Sequence, residues 1–361
     1  MKNYRDGFPI LEKCVYANTA SSGLINERTI EWRKQHDKEF FEGASIMRME
    51  SSKIISETRS AVGGFFGCSY ENVALVQNFS LGMNILLEGI DKRKKVLLLE
   101  NDYPLVNWSF ENRGFPISYC KINENLEENI RVKMASEDID ILALSLTQWV
   151  NGIKIDLDFL KELKEEHPEV LIIADGTQFC GTTKFNFEES GLDVLGASSY
   201  KWLLAGYGNG FMLFKDIVKN ISSVKTIGFN AANVDQNKKD DIRFAKHFEP
   251  GHLDTLNFGT LKKSLELLSE IGQDIITQQL KNLSKKAKEG FSAMGLLEDA
   301  VLLRRDHSTI YNIKGNDALF EHLTNNNIIC SQRGRGIRFS FHFYNTKEDI
   351  DFIIKIIKGW V

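Results

Sequence analysis

The sequence predicts an α/β fold, with a large domain built on a mainly parallel sheet and a smaller α+β domain towards the C-terminus. Three observations carry this expectation. Between Val73 and Phe214 short apolar runs alternate with longer amphipathic or loop stretches, the pattern of strands joined by crossover helices. Several of those runs are apolar at every position, as expected of strands covered by helices on both faces. Past Pro250 the character changes to long amphipathic segments and short strand candidates. A chain of 361 residues also exceeds the usual size of one core, so two packed units are expected. Residues 25–245 form the expected large domain, and residues 1–24 with 246–361 the small one.

In chain order the strand candidates are VALV from Val73, VLLLE from Val96, ISYCKI from Ile117 and IDILALSL from Ile139. VLIIAD from Val170, LDVLGAS from Leu192 and GFMLF from Gly210 complete the set. An amphipathic stretch follows from about Thr260 to Phe291, then strand candidates at Ser308 to Ile313 and Ile328 to Phe341, and a closing helix EDIDFIIKIIKGW. No internal repeat, low-complexity tract or Pro/Gly linker interrupts this order.

Composition narrows the partners. With 42% hydrophobic and 26% charged residues, the chain has ample apolar surface for a core. Lys and Arg total 45 against 49 Asp and Glu, a formal charge of -4, which gives no overall attraction to nucleic acid or anionic membrane. A small-molecule partner is the better expectation. The N-terminal MKNYRDGFPILEK lacks a signal-peptide run, and no segment approaches the roughly 20 apolar residues of a membrane helix, so a cytoplasmic protein is expected. Cys14, Cys68, Cys120, Cys180 and Cys330 are odd in number and widely spread. They predict buried thiols and neither a disulfide framework nor a metal site.

Open parallel sheets bind ligands beyond the carboxyl ends of their strands, which singles out NFSLGMN, NDYP, DGTQ and SSYK. In DGTQ and SSYK a carboxylate, Asp175, and an amine, Lys201, follow two buried strands. A carboxylate against a pyridine nitrogen keeps the ring protonated and electron-withdrawing. A desolvated lysine beside that ring has the lowered pKa needed to form an imine and to carry protons.

VLIIADGTQFCG followed by LDVLGASSYKWLLAGYGNGFM resembles the cofactor site of the class V aminotransferase family, and the likeness runs from YANTASSG to RFSFHFYNT. The family includes cysteine desulfurases, selenocysteine lyases, kynureninase, serine–glyoxylate aminotransferases and isopenicillin N epimerase-like proteins. The resemblance implies an aspartate-aminotransferase-like fold (fold type I), pyridoxal 5'-phosphate (PLP) as cofactor, an amino acid substrate, and a homodimer with shared active sites. By position it implies that Lys201 holds the cofactor as a Schiff base and that Asp175 pairs with the pyridine nitrogen. Gln178 would contact the phenolate oxygen or the lysine, and Ser198 with Tyr200 the phosphate. Phe79 and Ser80 stand where a helix begins, and its free N–H groups suit a phosphate.

Tyr103, in ENDYP, would stack on the ring. In LTQWVNG, Trp149 falls where desulfurases tend to have an asparagine that reaches the phenolate oxygen, leaving that contact to Gln148 or Gln178. His252, in FEPGHLDT, stands where relatives have a threonine that reaches the other subunit's phosphate. Arg338, in GRGIRFSFHFYNT, corresponds to the arginine that grips the substrate carboxylate through two parallel hydrogen bonds. Asn18, Thr19, Ala20 and Ser21 would line the substrate pocket.

Desulfurases of this class carry a catalytic cysteine on a loop just before that arginine. Here CSQRGRGIR is short and Cys330 reads as strand, which points to the epimerase-like or lyase-like branch acting at the α or β carbon. A desulfurase or selenocysteine lyase and a non-catalytic relative remain the alternatives. A nucleotide-binding dehydrogenase fits less well, because GYGNG precedes an apolar run and does not link strand to helix. Transamination, racemisation and β-elimination all begin with Lys201 moving a proton at the α carbon, and the sequence does not choose among them.

Overall fold

The computed structural model describes residues 4–360. Among the described residues twelve strands run in chain order: β1 Val15–Tyr16, β2 Val73–Val76, β3 Val96–Leu99, β4 Ile117–Cys120, β5 Ile141–Ser145 and β6 Leu171–Asp175, then β7 Val194–Ser198, β8 Gly210–Phe214, β9 Ile310–Lys314, β10 Ile328–Ile329, β11 Ser331–Arg333 and β12 Gly336–Ser340. All seven runs read as strands form one sheet, in the order β2-β8-β7-β6-β5-β3-β4. Its neighbours pair in parallel except for β8, which is antiparallel to both β2 and β7.

The unbroken apolarity of these strands has a physical cause, since successive side chains point to opposite faces and both faces are covered. Leu75, Leu97, Leu142, Ile172 and Leu195 face one core, with Ile130 and Leu160 of the crossover helices Leu126–Ser136 and Leu157–Glu166. Ala74, Val96, Ile141, Ile173 and Val194 face the other, with Met83 and Phe110 of helices Phe79–Glu88 and Pro104–Glu111.

Smaller sheets complete the fold. Strands β11, β12 and β9 form an antiparallel sheet, and β1 pairs in parallel with β10, joining the two ends of the chain. The amphipathic stretch from Thr260 to Phe291 is divided: Gly272, at φ 97°, separates helices Thr255–Ile271 and Gln273–Ser292. That backbone conformation suits a residue without a Cβ. The closing helix, Lys347–Lys358, starts in a capping box between Thr346 and Asp349, which satisfies orphan donors at both ends of the pair.

One buried ion pair ties the layers together. Both Arg59 guanidinium nitrogens donate at 2.6 Å to the two Glu249 oxygens, which also accept from the Leu75 N–H at 2.7 Å and Lys246 at 2.9 Å. A buried carboxylate with each oxygen occupied in this way repays its desolvation.

Candidate active site

The carboxyl ends of the parallel strands converge on a cavity of about 110 Å³. Asp175 is the last residue of β6 and lies in register with Ser145 at the end of β5. Ser198 ends β7, and the turn after it presents Tyr200 and Lys201. Asn78 and Tyr103 are the N-cap residues of the helices that follow β2 and β3. All seven of these polar side chains, from several strand ends, line the same space, together with Phe79, Ser80, Thr177 and Gln178.

Burial sets the electrostatics. Asp175 accepts the Thr177 N–H at 2.8 Å, and desolvation pushes its carboxyl above the usual range while the Lys201 charge pulls it back. Burial also pulls the Lys201 amine down to about 8; Asp175 opposes this, and Arg338 and Arg333 add to it. Its Nζ lies 5.4 Å from the centre of the Tyr200 ring and 5.7 Å from that of Tyr103. An amine so placed gives up its proton far more readily than an exposed lysine, which a nucleophilic or proton-carrying lysine requires.

The start of helix Phe79–Glu88 forms the other end of the cavity. The Phe79 N–H donates to Ser198 Oγ at 2.9 Å, and Asn78 Oδ1 accepts from the Leu81 N–H at 2.9 Å. Ser80, between them, has an N–H with no acceptor within the helix and a hydroxyl on the cavity wall. Helix N-termini of this kind favour anions.

The N-terminal segment closes the wall behind Lys201. The Gly23 N–H donates to the Tyr200 carbonyl at 2.8 Å. A Cβ at Gly23 would stand 1.9 Å from the Lys201 carbonyl oxygen, so only glycine allows this approach. Ala20 gives its N–H to Ser340 Oγ at 2.8 Å and receives Gln178 Nε2 at 3.0 Å.

Arg338 sits behind Trp149, adjoining the cavity wall without lining it. The guanidinium is 2% exposed, donates to the Trp149 carbonyl at 2.5 Å and to Ser21 Oγ at 2.7 Å, and leaves Nε without a partner. Among the described residues it makes no ion pair, and burial pulls its pKa down to about 10. A buried charge held without a counter-ion is costly, and an incoming carboxylate would remove that cost.

Several expectations need correction. Gln148 is buried but does not line the cavity; Thr147 and Trp149 from the same turn do. Gln178 lines it, yet its Oε1 is taken by Trp202 Nε1 at 2.7 Å and one Nε2 hydrogen by Ala20, so a single N–H remains to contact a ligand. Asn18 and Ala20 adjoin Ser340 of β12 behind the wall, and the Thr19 hydroxyl is engaged with Tyr344 at 2.6 Å. His252 lies in a separate surface groove with His36, Arg48 and Tyr70; within one chain it does not reach this cavity.

Asp102 was not foreseen. It is buried beside the site, accepts the Tyr103 N–H at 2.6 Å and the Ser145 N–H at 2.8 Å, and burial pushes its carboxyl up to about 6. It thereby fixes Tyr103 against the ends of β3 and β5. Its position in NDYP, directly after an apolar strand, was the available signal.

The family profile for aminotransferase class-V matches residues 25–353. The chain belongs to the class V aminotransferase family. It is therefore a PLP-dependent enzyme of fold type I. A probable cysteine desulfurase of Ureaplasma parvum is 21% identical, over 100% of this chain and 98% of the relative. An uncharacterized aminotransferase of Bacillus subtilis is 20% identical, over 97% and 95%. Among solved structures, a cysteine desulfurase from Thermococcus onnurineus NA1 superposes with a TM-score of 0.86 at 16% identity, covering 99% of this chain and 97% of that one. The cystine C–S lyase C-DES, in complex with its product cysteine persulfide, gives 0.86 at 17% identity, over 96% and 98%.

The donor set of this class V aminotransferase family member fits its cofactor. Asp175 is a buried carboxylate short of partners, Lys201 a desolvated amine beside it, and Tyr103 an aromatic face on the same cavity. The N-terminal turn at Ser80 supplies the anion-binding end. Ser145 Oγ, also on the wall, is buried without a partner.

Proposed function

We propose that this enzyme is an amino-acid lyase that removes a substituent from the β carbon of its substrate. When bound, PLP supplies the electron sink that makes the α C–H bond acidic. Asp175 would keep the cofactor's ring nitrogen protonated, Ser80 and Ser198 would hold its phosphate, and Tyr103 would pack on its face. Arg338 orients the substrate by its α-carboxylate. Lys201 Nζ takes the α proton. The C–H electrons then form a Cα–Cβ double bond, and the β bond breaks with its pair leaving on the departing sulfur or oxygen. Hydrolysis of the released enamine gives a keto acid and ammonia.

The unpaired Arg338 behind a cavity that holds Lys201 and Asp175 carries this reading, since together they fit a carboxylate next to a proton acceptor. The second reading, a cysteine desulfurase, is favoured by several relatives that are named probable cysteine desulfurases. Against it, none of the five cysteines lines the cavity. Cys330, the one nearest Arg338 in sequence, is buried, with its thiol pushed up to about 12. Only Gly334 and Arg335 separate β11 from β12, too short a turn for a mobile nucleophile.

A homodimer in the cytoplasm is part of the same proposal. It is supported by the highly exposed Phe41, Ile46 and Met49 near the groove that holds His252, and by five unpaired cysteines.

The test is product analysis on the yellow, PLP-loaded protein with L-cysteine, L-cystine and S-alkyl-L-cysteines. Pyruvate and ammonia in equal amounts, lost in Lys201→Ala, are the expected result. Alanine with enzyme-bound persulfide would overturn the lyase reading in favour of desulfuration.

A further inference from the structure

The sheet that carries Arg338 has two chemically opposite faces. In the register of β11, β12 and β9, Arg338 lies opposite Ser331 on one side and Asn312 on the other, while Arg333 lies opposite Gly336. Cross-strand partners share a face, as do residues two apart along a strand. Arg333, Ser331, Arg338 and Asn312 therefore stand on one face. Ile337, Phe339, Ile313 and Tyr311 occupy the other, and all four are buried in the core.

The polar face looks towards the turn after β5. Arg338 donates to the Trp149 carbonyl, and a Cβ at Gly334, beside Arg333, would stand 3.4 Å from the Val150 side chain. Arg333 is thus the diagonal neighbour of Arg338, with Cα atoms roughly 7–8 Å apart in standard sheet geometry. Its side chain is exposed. Gly336 opposite it has no side chain, and the Asn312 side chain, which donates to the Arg333 carbonyl at 2.9 Å, occupies the space a Cβ there would take.

Two like charges so close on one face repel, and no acid balances them. Arg333 makes no ion pair among the described residues and gives one Nη1 hydrogen to the Gln332 carbonyl beside it. Its charge depresses the pKa of both Lys201 and Arg338, so its field reaches the reaction centre. A face with two guanidinium groups that lack counter-ions among the described residues, one buried and one exposed, is complementary to a ligand with two anionic groups.

We infer that Arg333 is a specificity-determining residue that binds an anionic group on the substrate's side chain, making the preferred substrates β-substituted alanines whose leaving group is acidic. This rests on the lyase reading and names its substrate class. Arg338 takes the α-carboxylate and Arg333 the distal anion, and the bond to be broken lies between them. A carboxylate, sulfonate or phosphate on the leaving group would serve equally.

The experiment compares S-carboxymethyl-L-cysteine with S-ethyl-L-cysteine on the holoenzyme and its Arg333→Gln variant. Two readouts are taken: binding, from the change in the bound cofactor's visible absorption, and pyruvate release. The holoenzyme is expected to bind the carboxymethyl compound at least 10-fold more tightly. Arg333→Gln should abolish that preference, the carboxymethyl compound losing at least 10-fold more affinity than the S-ethyl compound. Equal affinity for both compounds in the holoenzyme, or an equal loss for both in the variant, would overturn the inference. Selective binding without pyruvate would retain Arg333's role and refute the lyase chemistry alone.

Discussion

Replacing Arg338 by Met separates function from stability in a way few active-site substitutions do. Burial pulls its pKa down to about 10, a fall from the ordinary guanidinium value that corresponds to about 3 kcal/mol of cost for holding the charge in the fold. For a base with a depressed pKa, that cost is present in full below the folded value, hence at any neutral assay pH. Met fills comparable length without the charge. It forfeits the bonds to the Trp149 carbonyl and Ser21 Oγ, each worth about 1 kcal/mol. The balance is about 1 kcal/mol in favour of the variant, so its thermal midpoint should stay level or rise by about 2 °C. Catalysis moves the other way, since losing a buried charge-assisted partner costs about 2–5 kcal/mol, a fall in kcat/KM of about 30- to 4,000-fold. Thermal unfolding of matched holoenzymes, alongside steady-state kinetics on S-carboxymethyl-L-cysteine, measures both quantities. A variant that is less stable by more than about 2 kcal/mol but keeps its kcat/KM would refute the reasoning, because Arg338 would then be a structural strut and not a waiting carboxylate site.

Two further outcomes are expected. Because the Lys201 amine titrates near 8 and is free above that value, uptake of PLP by apoprotein should accelerate as pH rises through about 8; stopped-flow absorbance showing a flat rate from pH 6.5 to 9 would contradict this assignment. Gly23→Ala should displace the 20–23 segment from the Lys201 turn, since its Cβ has only 1.9 Å to the Lys201 carbonyl oxygen. A loss of more than about 2 kcal/mol in denaturant unfolding is expected, and a wild-type midpoint with normal cofactor content would disprove the close approach.

The seven sheet strands were legible because burial on both faces demands continuous apolarity. Asp175 and Lys201 were legible only as a pair, because a carboxylate and an amine directly after two buried strands of one parallel sheet can meet in one crevice. Strand direction was less so: GFMLF reads like its parallel neighbours, and only the short connection from Ser198 to Gly210, with no room for a crossover helix, makes β8 antiparallel. Past a strand's end the regular alternation stops, and this is why Gln148 was expected on the wall that Thr147 and Trp149 occupy. The missing counter-ion of Arg338 is a tertiary fact, since any distant acid could have met it.

The β11–β12 hairpin joins these two kinds of information. Gly334, at φ 57°, occupies the first of its two turn positions, where a tight hairpin favours glycine. That turn fixes the register, and a slip of one residue would carry Arg333 to the face of Ile337 and Phe339. A guanidinium there would be buried among apolar side chains at a cost of several kcal/mol. The apolar face therefore excludes the slipped pairing, and the core that stabilises the small sheet also keeps both arginines on the side of the active site.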